Sequence, residues 1–315
     1  MKRNLVFLLI CSFALLFASC NSSDADVQDN KDKINDSIDG ISITEKDESQ
    51  STIDAEAKEE IVTETVKLPE TVGEVVVADN NNYYLKITNV EIGEYGLDVS
   101  VFFQNRMECD CNVFVDTKAY INNVKCGSVF DIDVPAGENY EKTDNLPLND
   151  MNFLGIDKYT DIEIEFTVKP DNKNIPKTVE VAHVYPFGKE NAVPFKYELK
   201  ENDTVLMDNE YVTITAISHE FEPGNGYTAY LFIENKSDKE LFVTTKNAYV
   251  SGIEVGSNLV HEIFPGKTVL GDIQWSKSYL EKYGVTDITS VSLNLLIYDA
   301  NTGVDYIEQL VSFNP

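Results

Sequence analysis

The sequence predicts an all-β protein with two tandem immunoglobulin-like β-sandwich domains. Apolar and polar residues alternate with the period of a strand in several segments, including 161–168 and 211–216. Clusters of Gly, Asn, Asp and Pro separate such segments and are typical of turns. The same order of segments then occurs twice in the chain. Each copy has about 110 residues and roughly seven short strands, which is the size of one immunoglobulin-like sandwich.

The internal repeat covers residues 83–315. Matched positions differ by 127 to 130 throughout, and a near-constant offset with conserved order indicates duplication of one domain. The matched segments are Tyr84-Leu85-Lys86-Ile87-Thr88 with Tyr211-Val212-Thr213-Ile214-Thr215, Val101-Phe102-Phe103-Gln104-Asn105 with Leu231-Phe232-Ile233-Glu234-Asn235, Ala119-Tyr120-Ile121 with Ala248-Tyr249-Val250, Pro135 with Pro265, and 161–168 with 290–297.

Composition and repeat boundaries together divide the chain into five parts. These are a signal peptide (1–19), a disordered acidic tether (20–73), β-sandwich domain 1 (74–190), an inter-domain linker (191–203) and β-sandwich domain 2 (204–315).

The N-terminus has the features of an export signal. Lys2 and Arg3 precede a mostly apolar run over residues 5–17, and that run is shorter than the ~20 residues of a membrane-spanning helix. The run Leu16-Phe17-Ala18-Ser19-Cys20 resembles the cleavage site of bacterial lipoproteins. This resemblance implies cleavage before Cys20 and a diacylglyceryl group on Cys20, which would anchor the chain to the membrane. The alternative is an ordinary secretory signal that leaves Cys20 unmodified.

The tether differs sharply in composition from the rest of the chain. Residues 21–82 contain no aromatic residue, and residues 21–70 carry 15 Asp or Glu against 5 Lys. Such a segment cannot bury enough apolar surface to offset the entropy of ordering, so it is predicted to be disordered. A short acidic helix over 54–67 is the alternative, although it would have no apolar stripe.

The linker and two short helices complete the predicted organisation. Pro194, Phe195, Tyr197 and Leu199 offer apolar side chains that can lie against one or both domains, so we expect a preferred inter-domain angle. Helical segments are predicted over 276–283, where Ser276 or Ser278 caps and Gly284 stops the helix, and over 150–159. On the strand before the linker, the alternation predicts that Val179, Val181 and His183 share one face.

Several motifs of the repeat resemble a known group of proteins. They are Tyr185-Pro186-Phe187-Gly188, 208–214, Asn235-Lys236-Ser237-Asp238 and Ser312-Phe313-Asn314-Pro315. With these motifs the chain resembles tandem-domain lipoproteins of anaerobic Gram-positive bacteria, and each copy is similar to telokin-like immunoglobulin domains of unknown function. The resemblance covers residues 83–315 and implies the fold. It brings no functional residue, because that family has no assigned activity.

No catalytic, cofactor or metal site is predicted from the motifs. His183, His219 and His261 lie far apart, and none is two or four residues from another His or Cys. The segment 299–305 resembles a calcium loop, but Leu310 occupies the position of the bidentate Glu. A hairpin turn is therefore predicted there.

The cysteines leave two interpretations open. Cys11 belongs to the signal and Cys20 to the lipid anchor, so Cys109, Cys111 and Cys126 remain in the first copy. One interpretation is a disulfide from Cys126 to Cys109 or Cys111 with one spare thiol. The other is three reduced, partly buried thiols; a zinc site with a His is a more distant alternative.

The charge balance limits the partners. The net charge is −29 and is spread over the whole chain. Nucleic acid is excluded, because phosphate binding requires the opposite sign. Attraction to anionic lipid headgroups is disfavoured for the same reason, so the membrane contact is expected through the lipid on Cys20.

Two functions from different classes fit these observations. The first is a non-catalytic binding or scaffold module on the extracytoplasmic face of the membrane, which docks a protein or glycan ligand on edge strands or Tyr-rich faces. The second is a metal-dependent or thiol-dependent accessory enzyme of the cell envelope. Candidate binding aromatics are Tyr83, Tyr84, Tyr95, Tyr227 and Tyr230.

Overall fold

The structure is a computed structural model that describes residues 68, 72–127, 130–222 and 226–315. The predicted signal peptide, the lipidation site Cys20 and almost all of the predicted tether lie outside the described residues. Within the described part of the chain, no helix has both the length and the apolar character needed to cross a bilayer.

The fold is an all-β sandwich fold, with 55% of the described residues in strands and 6% in helices. The first copy contains β1 (Val75–Asp79), β2 (Tyr83–Ile92), β3 (Gly96–Asn105), β4 (Cys111–Phe114), β5 (Ala119–Ile121), β6 (Val124–Lys125), β7 (Asp131–Val134), β8 (Asn139–Pro147), α1 (Asn149–Leu154), β9 (Ile162–Pro170) and β10 (Thr178–Val184). A 3₁₀ turn follows at Lys189–Asn191. The second copy contains β11 (Thr204–Asp208), β12 (Val212–Glu222), β13 (Gly226–Asn235), β14 (Leu241–Val250), β15 (Ile253–Val255), β16 (Val260–Ile263), β17 (Thr268–Ser276), α2 (Lys277–Lys282), β18 (Val291–Asp299) and β19 (Asp305–Phe313).

The described strands therefore outnumber the predicted seven per copy. The excess arises where short hairpins subdivide one predicted strand, as in β4, β5 and β6.

The two copies have the same topology. In the first, the sheet β1-β2-β3-β8 packs against a sheet in which β9 pairs with β10 on one side and with β4 and β5 on the other. In the second, β11-β12-β13-β17 packs against β14 and its partners β15, β16 and β18, with β19 next to β18. All of these pairings are antiparallel. One further pair, β6 with β17, is parallel and joins the two copies into one ten-stranded sheet.

The buried apolar residues form two cores. One contains residues between Tyr83 and Val184 together with Phe232 of the second copy, and the other contains residues between Leu206 and Phe313. The predicted alternation is confirmed on β9, where Ile162, Ile164 and Phe166 are buried. These inward residues from facing sheets supply the apolar burial that stabilises each sandwich.

The predicted face of β10 is wrong. Val179 and Val181 are 48% and 50% exposed, whereas Ala182 and Val184 are buried. The reversal has a tertiary cause, because the Tyr83 hydroxyl of the opposite sheet donates a 2.5 Å hydrogen bond to Glu180 and so stabilises this carboxylate on the inward side.

Duplication extends to the turns. Asn122 and Asn123 have positive φ in the β5–β6 turn, and Ser251 and Gly252 have positive φ in the β14–β15 turn. This is the backbone of a type I′ hairpin, for which Asn and Gly are the preferred residues. Both predicted helices are present as one- or two-turn connectors: Ser276 caps α2, whereas α1 ends at Leu154 because Gly155 adopts a left-handed φ of 73°.

The linker packs against the second copy. Phe195 and Tyr197 lie 6.1 and 4.9 Å from the ring of Phe232, whereas Leu199 is 62% exposed. On the neighbouring strand, Thr268 N–H donates to the carbonyl of Asn123 at 3.0 Å. Backbone pairing and aromatic contacts together close the junction between the copies.

Candidate functional site

The three cysteines do not form the disulfide that one of the two open interpretations gives. Cys109, Cys111 and Cys126 are all free thiols. Cys111 pairs with Pro170 of β9, whereas Ala119, whose carbonyl accepts the N–H of Cys126, pairs with Ile164. Six residues along β9 separate the two positions by about 20 Å, far beyond the ~7 Å limit for bridged Cα atoms. The alternative interpretation, three reduced thiols, fits this arrangement.

The thiols should differ in reactivity. Burial raises the pKa of Cys111 and of Cys126 to about 12, so both are protonated at pH 8 and unreactive. Cys109 is only partly buried. We expect iodoacetamide at pH 8 to label one thiol rapidly and the other two only after unfolding, as counted by mass spectrometry. Rapid labelling of two or three thiols in the folded chain would contradict this arrangement.

The predicted binding aromatics separate into four groups. Tyr83 and Tyr227 are buried in the two cores and serve packing. Tyr230 contacts Phe153 at 4.6 Å, across the junction between the copies. Tyr95 is 79% exposed in the β2–β3 turn. Tyr84 lines a groove.

This groove lies on the outer face of β1, β2 and β3 in the first copy. It encloses about 600 Å³ and is lined by Glu74, Asp79, Tyr84, Lys86, Thr88, Phe102, Gln104, Arg106 and Glu141. The rings of Tyr84 and Phe102 form its apolar floor, with centroids 6.1 Å apart in an edge-to-face arrangement. We call it the aromatic groove.

Two cations border the floor of the aromatic groove. Arg106 lies 5.6 Å from the Tyr84 ring and pairs with Asp79 at 2.8 Å. Lys86 lies 5.7 Å from the Phe102 ring and pairs with Glu74 at 2.8 Å, and this hydrogen bond raises the lysine pKa. The groove therefore combines aromatic surface with charged groups of both signs, which suits a ligand that is apolar at one point and polar beside it.

The second copy shows how the equivalent face is used. Phe232 occupies the position of Phe102, between β12 and β17 as Phe102 lies between β2 and β8. Phe232 is only 4% exposed, because it packs into the core of the first copy and against the linker residues Phe195 and Tyr197. This face of the second copy is thus covered by the first copy and by an aromatic segment of the linker.

A second cluster lies at the start of β9 and the end of β10. Asp161 and Glu163 point to one side of β9, and His183 is the cross-strand partner of Glu163. The Nδ1 atom of His183 lies 2.9 Å from Asp161 Oδ1, and its Nε2 atom lies 3.7 Å from Glu163 Oε2. One potential ligand atom from each residue lies within 4.8 Å of the other two. We call these residues the His183 cluster.

The surroundings of the His183 cluster hold its side chains in place. The ring of His183 stacks on Tyr185, with 5.5 Å between centroids and 6° between planes. Asp161 N–H donates to Asn122 Oδ1 at 3.1 Å. Lys267 of the second copy donates to Glu163 Oε2 at 2.5 Å and to Asn123 Oδ1 at 3.2 Å. The cluster is partly buried and open to solvent on the His183 side, where the side chain is 36% exposed.

Sequence reasoning did not find the His183 cluster, because it searched for ligands close together along the chain. His183 is twenty residues from Glu163 in sequence, and only the register of the β9–β10 hairpin brings the two together. The signal in the sequence is a pair of carboxylates two residues apart, Asp161 and Glu163, on the first strand of a hairpin whose second strand carries His183.

The loop after β18 is a hairpin turn, as predicted. The Oδ1 atom of Asp299 accepts the N–H groups of Asn301 and Thr302 at 2.9 and 2.8 Å. These backbone hydrogen bonds, that from Thr302 first, lower the pKa of Asp299. The carboxylate therefore closes the turn itself.

No family model matches the chain, and no curated protein matches it. Among solved structures, the YadV chaperone matches at 11% identity over 69% of this chain and 92% of its own, with a TM-score of 0.22. A protein of unknown function from Porphyromonas gingivalis W83 matches at 16% identity over 72% of this chain and 98% of its own, with a TM-score of 0.19. Likeness at these scores carries no argument about function.

Proposed function

We propose that the chain is a non-catalytic binding module on the extracytoplasmic face of the membrane, anchored through lipid on Cys20. The aromatic groove of the first copy is its ligand site. The ligand is an extended protein segment that places an aromatic side chain on Tyr84 and Phe102 and a neighbouring carboxylate near Arg106.

One observation carries this proposal. The counterpart of the aromatic groove in the second copy is covered by the first copy and by a linker segment that places Phe195 and Tyr197 against Phe232. The first copy retains the central ring as Phe102. However, Glu141 stands where the second copy has Leu270, the residue that pairs with Phe232 in β17. The groove therefore keeps the aromatic anchor point with a more polar border, which suits a ligand that binds from water.

Charge favours a particular flanking group on the ligand. Arg106 and Lys86 are already paired with Asp79 and Glu74, but both pairs are solvent-exposed and therefore weak. A ligand carboxylate can replace either partner at little cost. The linker itself has this composition, with Glu198 directly after Tyr197.

The groove is tested by substitution of Phe102. The chain from Asn21 onward is immobilised and exposed to solubilised envelope protein, and the retained species are quantified for wild type and for Phe102→Ser. An aromatic anchor typically contributes about 2 kcal/mol or more, so we expect retention of the ligand to fall roughly 30-fold. Tyr95→Ser is the matched control, because Tyr95 is exposed and outside the groove.

The outcome distinguishes ligand classes as well. Retention that survives Phe102→Ser in every species would overturn the groove as the site. Retention that depends on Phe102 but survives proteolysis of the extract and is lost on periodate treatment would show a glycan, and the protein-ligand proposal would fall.

The anchor is tested separately at Cys20. Two acyl chains bury enough methylene groups to hold a protein stably on a bilayer, at ~0.8 kcal/mol for each CH₂ group. We expect the wild-type chain to incorporate labelled palmitate and to partition into Triton X-114, and Cys20→Ser to do neither. Equal partition of the two chains into the aqueous phase would contradict lipid anchoring.

A further inference from the structure

We propose that Asp161, Glu163 and His183 form a binding site for a divalent transition-metal ion at the junction of the two copies. His183 supplies Nε2 and Glu163 supplies a carboxylate oxygen as direct ligands. Asp161 positions the imidazole.

The hydrogen bond of His183 determines which nitrogen is available. Nδ1 lies 2.9 Å from a carboxylate oxygen of Asp161, and a carboxylate only accepts, so Nδ1 carries the proton. The lone pair is then on Nε2, which lies on the side of Glu163 at 3.7 Å from its nearer oxygen. A carboxylate that fixes the tautomer of a ligating histidine is a recurrent feature of protein metal sites.

The contact with the second copy explains the presence of Glu163 in the cluster, but not that of Asp161 or His183. Lys267 donates to Oε2 of Glu163, which is also the oxygen that lies 3.7 Å from Nε2 of His183. An ionised carboxylate has about four lone-pair sites on its two oxygens, so this hydrogen bond still leaves Glu163 with lone pairs for a metal ion. Within the described part of the chain, neither Asp161 nor His183 makes a hydrogen bond or ion pair to the second copy, so the junction does not explain their identity. In the metal site, Lys267 would fix the position of the ligating Glu163 carboxylate without binding the metal ion itself.

The repeat provides an internal comparison. The counterparts of Asp161, Glu163 and His183 in the second copy are Ser290, Ser292 and Ser312, and the last two are cross-strand partners like Glu163 and His183. Ser292 and Ser312 share a 2.8 Å hydrogen bond. The same hairpin therefore forms with serine at all three positions, and the fold does not require the acidic residues or the histidine.

The ligand set selects the class of ion. Imidazole nitrogen with carboxylate oxygen suits Zn²⁺ and its first-row neighbours, whereas Ca²⁺ and Mg²⁺ prefer oxygen alone. The partial exposure of His183 leaves room for water or another ligand in the remaining coordination positions.

The test is Zn²⁺ titration of the chain from Asn21 onward by calorimetry, with excess Mg²⁺ present to occupy sites made of carboxylates alone. We expect one Zn²⁺ per chain. Asp161→Ala should weaken binding roughly 10- to 100-fold, as for other residues that orient a metal ligand. His183→Ser should abolish binding at the concentrations that saturate wild type.

The variant that carries serine at all three positions is the strictest comparison, because the second copy shows that this hairpin folds with serine there. Its melting curve verifies the fold. His219→Ser is the matched control, since His219 is an exposed histidine outside the cluster, and it should bind as wild type does. Zinc binding that persists in the triple serine variant, or that is absent from wild type, would overturn the proposal. Loss in the triple variant without loss in His183→Ser would show a site made of carboxylates alone and would also overturn it.

Discussion

The Asn235→Ala variant is expected to lose about 3 to 5 kcal/mol of the free energy of unfolding of the second copy. Asn235 is fully buried. Its Nδ2 donates to the carbonyls of Lys239 and Ile263 at 2.7 and 2.8 Å, and its Oδ1 accepts the N–H of Ser237 at 2.9 Å. Alanine removes the amide that makes all of these hydrogen bonds and leaves the buried carbonyl of Ile263 without that donor. Each unsatisfied buried group lowers the free energy of unfolding by about 1 to 3 kcal/mol.

Urea unfolding followed by tryptophan fluorescence measures this loss. Trp275 is the single tryptophan of the chain and is buried in the second core, so its emission reports that copy alone. Asn294→Ala is the matched control. The Asn294 amide donates to Glu308 at the surface, and its removal should change stability by less than about 0.5 kcal/mol. A loss below about 1 kcal/mol in Asn235→Ala would show that water or local shifts satisfy the orphaned groups.

The second large effect is expected for Phe232→Ala at the junction. The Phe232 ring is almost fully buried beneath Phe195 and Tyr197, and truncation of such a ring typically costs about 3 to 5 kcal/mol. Because the ring belongs to the contact between the copies, its removal should also uncouple them. We expect wild type to unfold in one transition by circular dichroism and by Trp275 fluorescence alike, and the variant to show different midpoints by the two probes.

The Phe242→Ala variant separates the loss of stability from the uncoupling of the two copies. Phe242 stacks on Tyr298 at 5.3 Å on the outer sheet of the second copy and takes no part in the junction. It should lower stability while the two probes still coincide. Coincident transitions in Phe232→Ala would argue that the aromatic contacts do not couple the copies.

The architecture was predictable from the sequence because each of its signals is local or repeated. Alternation on β9 predicted the buried face, and Ile162, Ile164 and Phe166 are buried there, although Thr167 of the predicted polar face is buried as well. The constant offset of the repeat predicted that Asn105 and Asn235 occupy equivalent positions, and both are buried with the same pattern of backbone acceptors.

Where prediction failed, the deciding contact came from another element of the fold. On β10, Val179 and Val181 were expected to share the buried face. The hydroxyl of Tyr83, on the opposite sheet, places Glu180 inward instead. For the cysteines, the strand register decided the question, and sequence spacing carried no information about the distance between Cys111 and Cys126.

The candidate sites were hidden for a related reason. The aromatic groove depends on which side of β2 and β3 is covered by the rest of the chain, and the two copies differ in this respect although their strands match. The His183 cluster depends on hairpin register. In both cases the difference between two copies with a common topology, rather than any single motif, identifies the residues that the fold does not need.

The central claim is that the two sandwiches form one body, which holds the aromatic groove in a constant orientation relative to the second copy. Small-angle X-ray scattering of residues 68–315 tests this most directly. We predict a single narrow distribution of dimensions that the described structure fits without an ensemble, and a broader distribution for Phe232→Ala. A broad, freely hinged distribution for the wild-type segment would contradict the claim.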